Sequence, residues 1–342
     1  MRDVPLGRDG RISELVLGTM TFGTQTAEAD AHRQLAMAAD AGVAWLDTAE
    51  MYPVNPVRPE TIGRTEEIVG RWLAGPGRGR LRVATKHSGE GAPPRDGADI
   101  SSATIASAVR GSLDRLQIEA IDLYQFHWPN REHWNFRKNW RFRPRHDRAA
   151  VLQNFADCVG ALEREVERGT IRAFGLSNET AWGLARWCDA GGSGAARPVS
   201  IQNEYSLLAR LPDTDLAETM VEEEVTMLAF SPLAAGLLTG KYQGGAVPEG
   251  SRRSINEGMG GRWTPRVEGA VDGYLRLARD HGVDPVHMAL AWLRTRPFHC
   301  AAILGATTSD QLAHGLRAAD VALSDDLVEA IDDVHKAHPL PY

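Results

Sequence analysis

Eight short strand-like runs, each followed by one or more runs with helical periodicity, predict a closed (β/α)8 TIM barrel. An N-terminal β-hairpin precedes it and long loops extend from its C-terminal face. The strand runs cover 15–18, 44–47, 81–86, 121–127, 171–177, 200–205, 226–231 and 301–304. They are apolar along their length rather than alternating, as strands of a parallel sheet covered on both faces should be. Six such units would leave an open, doubly wound sheet, whereas eight close a barrel with right-handed crossovers.

The elements follow in order. Residues 4–16 carry Gly7 and Gly10 around a turn and fit a hairpin that covers the barrel floor. Helical periodicity marks 28–41, 65–73, 102–116, 151–168, 180–190, 216–224, 267–281, 285–295, 309–319 and 324–335. Ser309 and Ser324 stand where N-caps belong, with Asp310 and Asp325 in the first turn. No linker or shift in composition divides the chain, so residues 1–342 are expected to form a single domain.

Two long loops interrupt the alternation. Residues 129–148, after the fourth strand, hold seven Lys/Arg, two acids and four aromatics. Such interleaving can bind single-stranded nucleic acid, or it can be a cover whose rings shape a pocket and whose cations are solvated. The net charge of −7 favours the cover and argues against nucleic-acid or anionic-membrane partners. Residues 243–264, rich in Gly and Arg, follow strand seven and are placed to fold over a ligand.

Hydrophobic residues make up 43% and charged residues 24%, the composition of a globular core with a polar surface. The three cysteines are far apart, with neither CxxC nor zinc spacing, which suggests a reducing compartment. The first residues lack a signal-peptide pattern, and no run approaches the ~18 apolar residues of a membrane span. A cytoplasmic location is expected. No sequence feature marks an oligomer surface.

Barrel enzymes take their active-site residues from the C-terminal ends of strands and the loops beyond. Asp47 ends strand two, Tyr52 follows in its loop, Lys86 ends strand three and His127 ends strand four. Each has an ordinary reading: a turn cap, a packing ring, a solvated cation, a locally bonded imidazole. Their placement on adjacent strands brings all four to one mouth, where they form a set suited to protonating a carbonyl oxygen.

The chain also resembles the aldo-keto reductase family, near its Tas-like branch and the potassium-channel β-subunits. The matching stretches are LGTMTFG (17–23), WLDTAEMY (45–52), GRTEEIVGRWL (63–73), VATK (83–86), SLDRLQIEAIDLYQFHWP (112–129) and GTIRAFGLSNET (169–180). SIQNEYSLL (200–208), FSPLAAGLLTGKY (230–242) and LGATTSDQL (304–312) extend the likeness over nearly the whole chain.

The resemblance implies reduction of aldehydes or ketones with a nicotinamide cofactor. Tyr52 would be the general acid. A free phenol has a pKa of about 10, and a nearby ammonium lowers such a value by roughly 1–3 units. Lys86, paired with Asp47, would supply that charge, and His127 would orient the carbonyl. The likeness further implies that Asp47, Ser177, Asn178 and Gln202 meet the nicotinamide end, with Phe230 stacked on the ring and Gly18, Thr19 and Met20 beneath it. Ser231, Pro232, Leu233 and Lys241 would take the pyrophosphate, and Gly305, Thr308 and Gln311 the adenosine side. Many members carry a basic residue where Thr308 stands, and Gly315 replaces a further polar position. Arg252 or Arg253 would then supply the cation for a 2′-phosphate, so NADPH is expected over NADH.

Expected pocket walls are Met20, Phe22, Trp128 and the 134–140 loop, which suit aromatic or medium-chain aldehydes. A second reading is a regulatory or redox-sensing protein that holds NADP(H) with incidental turnover. A metal-dependent barrel hydrolase would need clustered ligands at strand ends; only Asp47 and His127 qualify, so no metal is expected.

Overall fold

The computed structural model describes residues 1–342. β1 (Asp3–Leu6) and β2 (Gly10–Ser13) pair antiparallel, with Asp3 opposite Ser13 and Leu6 opposite Gly10. The turn places Gly7 at φ +61, where a Cβ would stand 2.8 Å from Val199 Cβ, so glycine suits both the angle and the space.

Eight parallel strands then close in chain order: β3 (Leu15–Gly18), β4 (Trp45–Asp47), β5 (Arg82–His87), β6 (Leu123–Phe126), β7 (Phe174–Ser177), β8 (Pro198–Glu204), β9 (Thr226–Phe230) and β10 (Cys300–Gly305). The helices are α1 (Glu28–Asp40), α2 (Arg64–Ala74), α3 (Ile105–Leu116), α4 (Arg148–Glu167), α5 (Ala181–Gly191) and α6 (Asp215–Glu222). A short α7 (Arg252–Ile255), then α8 (Val267–Asp280) and α9 (Pro285–Trp292), lie between β9 and β10. α10 (Ser309–Leu316) and α11 (Asp325–Ala337) follow. No helix is long and apolar enough to cross a membrane.

Strand parity builds the interior. Successive side chains alternate between the barrel's inside and its helix-covered outside. Leu15, Leu17, Leu46, Val83, Tyr124, Phe126 and Ile201 belong to the large outer core between sheet and helices. The opposite parity gives Val16, Trp45, Ala84, Leu123, Leu228 and Ile303, a separate inner cluster closed below by Leu6 and Ile12 of the hairpin. Two residues further along the same face come Asp47, Lys86 and Gln125. The barrel is thus apolar at its floor and polar at its mouth.

Boundaries differ from the sequence expectation where caps and bridges intervene. Residues 121 and 171 make only an isolated bridge, so β6 and β7 start later than their apolar runs. Asp147 accepts from the Ala149 and Ala150 N–H groups and starts α4 early. Ser324 caps α11 as expected, but the cap of α10 is Thr308, not Ser309: Thr308 accepts from Gln311 N–H, while Ser309 Oγ donates to Asp30. The loop after strand seven contains the helical turn α7.

Cys158, Cys188 and Cys300 are buried in α4, α5 and β10. Burial pushes the Cys158 and Cys188 thiols up to about 12, and Cys300 higher still.

Gly70 lets α2 meet α3. A Cβ there would lie 2.2 Å from Arg115 O and 2.8 Å from the Leu116 carbonyl carbon. Alanine favours a helix by up to about 1 kcal/mol over glycine, but overpacking against backbone costs roughly 1–3 kcal/mol. Gly70→Ala is therefore expected to lose about 1–2 kcal/mol in urea unfolding; a gain in stability would show that α2 moves away freely.

His87, at the end of β5, is buried with Nδ1 2.8 Å from Ser88 O and Nε2 3.0 Å from Thr104 Oγ1. Burial pulls its pKa from 6.5 down to about 4, against the opposing charge of Glu50. The unfolded chain therefore binds the proton more readily. This contribution is complete above about 6.5 and drains away as pH falls toward 4, by up to about 3 kcal/mol. Unfolding free energies at pH 7 and pH 5 should show this loss, and His87→Asn should flatten it; an unchanged slope refutes the assignment.

Candidate active site

The mouth is organised around a buried ion pair. Lys86 Nζ donates to Asp47 Oδ2 at 2.6 Å and to Thr48 O at 2.8 Å. The other carboxylate oxygen of Asp47 accepts from Gln202 Nε2 at 2.8 Å and Gln125 Nε2 at 3.2 Å. Gln202 Nε2 also donates to Gln125 Oε1 at 3.0 Å. The Asp47 carbonyl is held by Thr19 N–H at 3.1 Å and by its hydroxyl at 2.8 Å. Both charges are nearly inaccessible, with side-chain exposures of 0% for Lys86 and 4% for Asp47.

Tyr52 lies beside this pair. Lys86 Nζ is 5.0 Å from its ring centroid, and the His127 ring meets it edge-on at 5.7 Å. The four predicted residues therefore come together. Burial alone would depress the Lys86 pKa, but the charge of Asp47 and its hydrogen bond hold it above its ordinary value, so the ammonium persists. For Tyr52 the expectation of a lowered pKa needs correction. Burial outweighs the Lys86 ammonium, Asp47 adds to the rise, and the phenol stays protonated at neutral pH. His127 is driven well below the usual imidazole range by burial and then by Lys86, so it is neutral. Its Nδ1 is buried with no protein partner.

On the other side of the mouth, Ser177 Oγ donates to Gln202 O at 2.9 Å. Asn178, at φ +52, donates from Nδ2 to His127 O at 2.9 Å and to Ser177 Oγ at 3.1 Å. Asn135 Nδ2 braces the Asn178 carbonyl at 2.6 Å. Gly18 packs against β10: a Cβ would lie 2.9 Å from Ile303 Cγ2 and 3.5 Å from Gly305 Cα. Met20 and Phe230 are half-buried, and Met20 Sδ is 3.9 Å from Asn55 Nδ2. Ser231, at φ +52, opens a turn through the buried Pro232 and half-buried Leu233, and Arg262 Nη2 lies 3.5 Å from its hydroxyl.

The cations divide into committed and open ones. Arg253 stacks 3.6 Å over Trp263 and donates to Ala246 O, so it is already engaged. Arg252 and Lys241 are half-buried without a carboxylate within ion-pair distance. Thr308 and Gln311 are exposed; Gln311 Oε1 accepts from Thr307 N–H and its hydroxyl at 3.1 and 3.0 Å.

Two pocket-wall expectations are overturned. Phe22 is fully buried in the outer core and faces no ligand. Trp134 lines a separate cavity of about 310 Å³ with Phe142, His146 and Trp182, whereas Phe136 of the same loop meets Trp128 edge-on at 6.3 Å. Trp128 does stand by the mouth, 5.0 Å from the His127 ring, and Trp140 is 64% exposed. In the basic loop, Arg131 pairs with Glu179 and Arg137 with Glu204, while Lys138, Arg141, Arg143, Arg145 and Arg148 are solvated.

Sequence reasoning missed Gln125, although a lone amide on the inward parity of an apolar strand was a usable signal. It also missed Glu204, which joins Arg137 of the first loop to Arg262 of the second, with Tyr342 Oη at 3.4 Å. Nothing local announces that convergence. Asp284, His287 and His314 cluster between α9 and α10, away from the mouth. There His287 Nε2 is 2.8 Å from His314 O, and His314 Nε2 is 3.1 Å from Asp284.

Comparison with known proteins agrees with this architecture. The chain is similar to Protein tas of Escherichia coli (strain K12), 42% identical over 338 residues and covering 96% of both chains. It is similar to the uncharacterized oxidoreductase YrpG of Bacillus subtilis (strain 168), 31% identical over 343 residues, 96% of this chain and 94% of that one. A probable voltage-gated potassium channel subunit beta of Oryza sativa subsp. japonica is 29% identical over 345 residues, 98% of this chain and 96% of that one. The model of the Aldo/keto reductase family matches residues 14–336, and the chain belongs to that family of oxidoreductases.

Proposed function

We propose that the protein reduces aldehydes or ketones to alcohols with NADPH, acting in the cytoplasm. The observation that carries this reading is the Lys86–Asp47 pair set beside a protonated Tyr52 and a neutral His127. When bound, the dihydronicotinamide supplies hydride to the carbonyl carbon. Tyr52 gives its proton to the carbonyl oxygen as charge develops there. The Lys86 ammonium steadies the phenolate that remains, and Asp47 holds that ammonium in place. His127 offers a neutral N–H that directs the carbonyl without adding a charge.

The residues on the opposite side fit the nicotinamide nucleotide. Gly18, packed close against β10, brings its strand end and Met20 to the mouth where the nicotinamide would lie. Asn178 and Gln202 spend their NH₂ groups inside the protein, which leaves their amide oxygens for a carboxamide NH₂. Lys241 and Arg252, lacking acidic partners, suit the pyrophosphate and the 2′-phosphate, and Thr308 then needs no charge. The substrates are small carbonyl compounds that bind beside Trp128 and Met20.

Tyr52→Phe is expected to lower kcat by about 10²–10⁴-fold while the NADPH Kd, read by fluorescence titration, stays nearly constant. Turnover at the wild-type rate in that variant refutes the role. NADPH oxidation that never exceeds background across a broad aldehyde panel, with tightly copurified nucleotide, would instead mark a cofactor-holding sensor.

Arg252→Ala should weaken NADPH binding by about 10–100-fold and leave NADH within about twofold, since a bond to a charged group contributes roughly 1.5–3 kcal/mol. Equal losses for both nucleotides would remove Arg252 from 2′-phosphate recognition.

A further inference from the structure

Two residues before Tyr52, its loop is fastened by a charge that proton transfer does not use. Glu50 is buried, and both of its carboxylate oxygens are taken by one guanidinium. Oε2 accepts from Arg95 Nη1 at 2.6 Å and Oε1 from Arg95 Nη2 at 2.6 Å. Oε1 also accepts Ser88 N–H at 2.5 Å, and Glu50 N–H donates to Lys86 O at 3.3 Å. One residue thereby ties the loop of Tyr52 to the strand of Lys86 and to the loop beyond it. The same distal loop walls the mouth. Trp128 Nε1 donates to Glu90 O at 3.2 Å, and a Cβ on Gly89 would lie 2.3 Å from that nitrogen.

Stability is a poor reason for this arrangement, because burying an ion pair gains little over well-packed apolar side chains. What a planar, two-bond guanidinium–carboxylate contact supplies is direction. Electrostatics is a poor reason too: the charges that move the Tyr52 proton equilibrium are Lys86 and Asp47, and Glu50, neutralised by Arg95, is not among them. What remains is geometry. Tyr52 lies on a loop rather than on the barrel wall, so its hydroxyl is only as well placed as the loop is held.

We propose that Glu50 and Arg95 form a positioning clasp that sets the Tyr52 hydroxyl over Lys86 and the carbonyl oxygen and fixes Trp128 as the facing wall. The clasp rests on the reading of Tyr52 as the acid. It acts through that residue and touches neither substrate nor nucleotide.

The test uses the full chain in two forms. Arg95→Ala should lower kcat for aldehyde reduction by about 10–100-fold, the scale of an ångström's misplacement, with the NADPH Kd within about twofold of wild type. Guanidinium ion added at millimolar levels should restore part of that loss. Glu50→Gln/Arg95→Met leaves no buried charge unpaired, so it should melt like wild type and show the same drop in kcat. The clasp is overturned if the double variant turns over at the wild-type rate. It is overturned equally if the kcat loss is matched by loss of NADPH affinity, or if guanidinium restores nothing to Arg95→Ala. Should Tyr52→Phe stay active, the acid reading itself falls; an inactive Tyr52→Phe beside a fully active double variant removes the clasp alone.

Discussion

Everything at the mouth depends on keeping one ammonium charged in a place without water. Moving Lys86 into the barrel would neutralise it if it were alone, since burial disfavours the charged form. Asp47 reverses that, at the expense of burying a second charge. Each buried ion forfeits several kcal/mol of hydration, and only good geometry with further hydrogen bonds repays it. Here the repayment is visible: Thr48 O takes a second Lys86 proton, and the amides of Gln125 and Gln202 take the far oxygen of Asp47. The inner cluster beneath, from Leu6 to Ile303, keeps solvent from entering below. Polar mouth and apolar floor are two halves of one requirement.

The barrel and the quartet were legible in the sequence because both follow from strands. Runs apolar on both faces announce a covered parallel sheet, and a residue at a strand's end needs no knowledge of loops to be located. Asp47, Lys86 and His127 required only that step. Gln125 was legible in principle through parity. Phe22 and Trp134 misled because ring content does not reveal which way a loop turns: one sank into the outer core, the other faces a different cavity. Glu50 and Arg95, or Glu204 with Arg137 and Arg262, lie tens of residues apart and meet only after the loops have folded.

The cations around the mouth fall into two groups. Most are consumed inside the protein: Arg95 by Glu50, Arg131 by Glu179, and Arg137 and Arg262 together by Glu204. Lys241 and Arg252 have no carboxylate within ion-pair distance. Under the proposed function, the two open cations are the ones left to meet phosphate, while the paired ones hold the loops together.

The three buried cysteines complete this picture from an unexpected direction. Unsaturated carbonyls, which fall within the proposed substrate class, are electrophiles that alkylate thiolates. Thiols held near 12 or above present almost no thiolate at neutral pH, and none of the three reaches the surface. Under the proposed function, none of the three thiols offers such a compound a ready nucleophile.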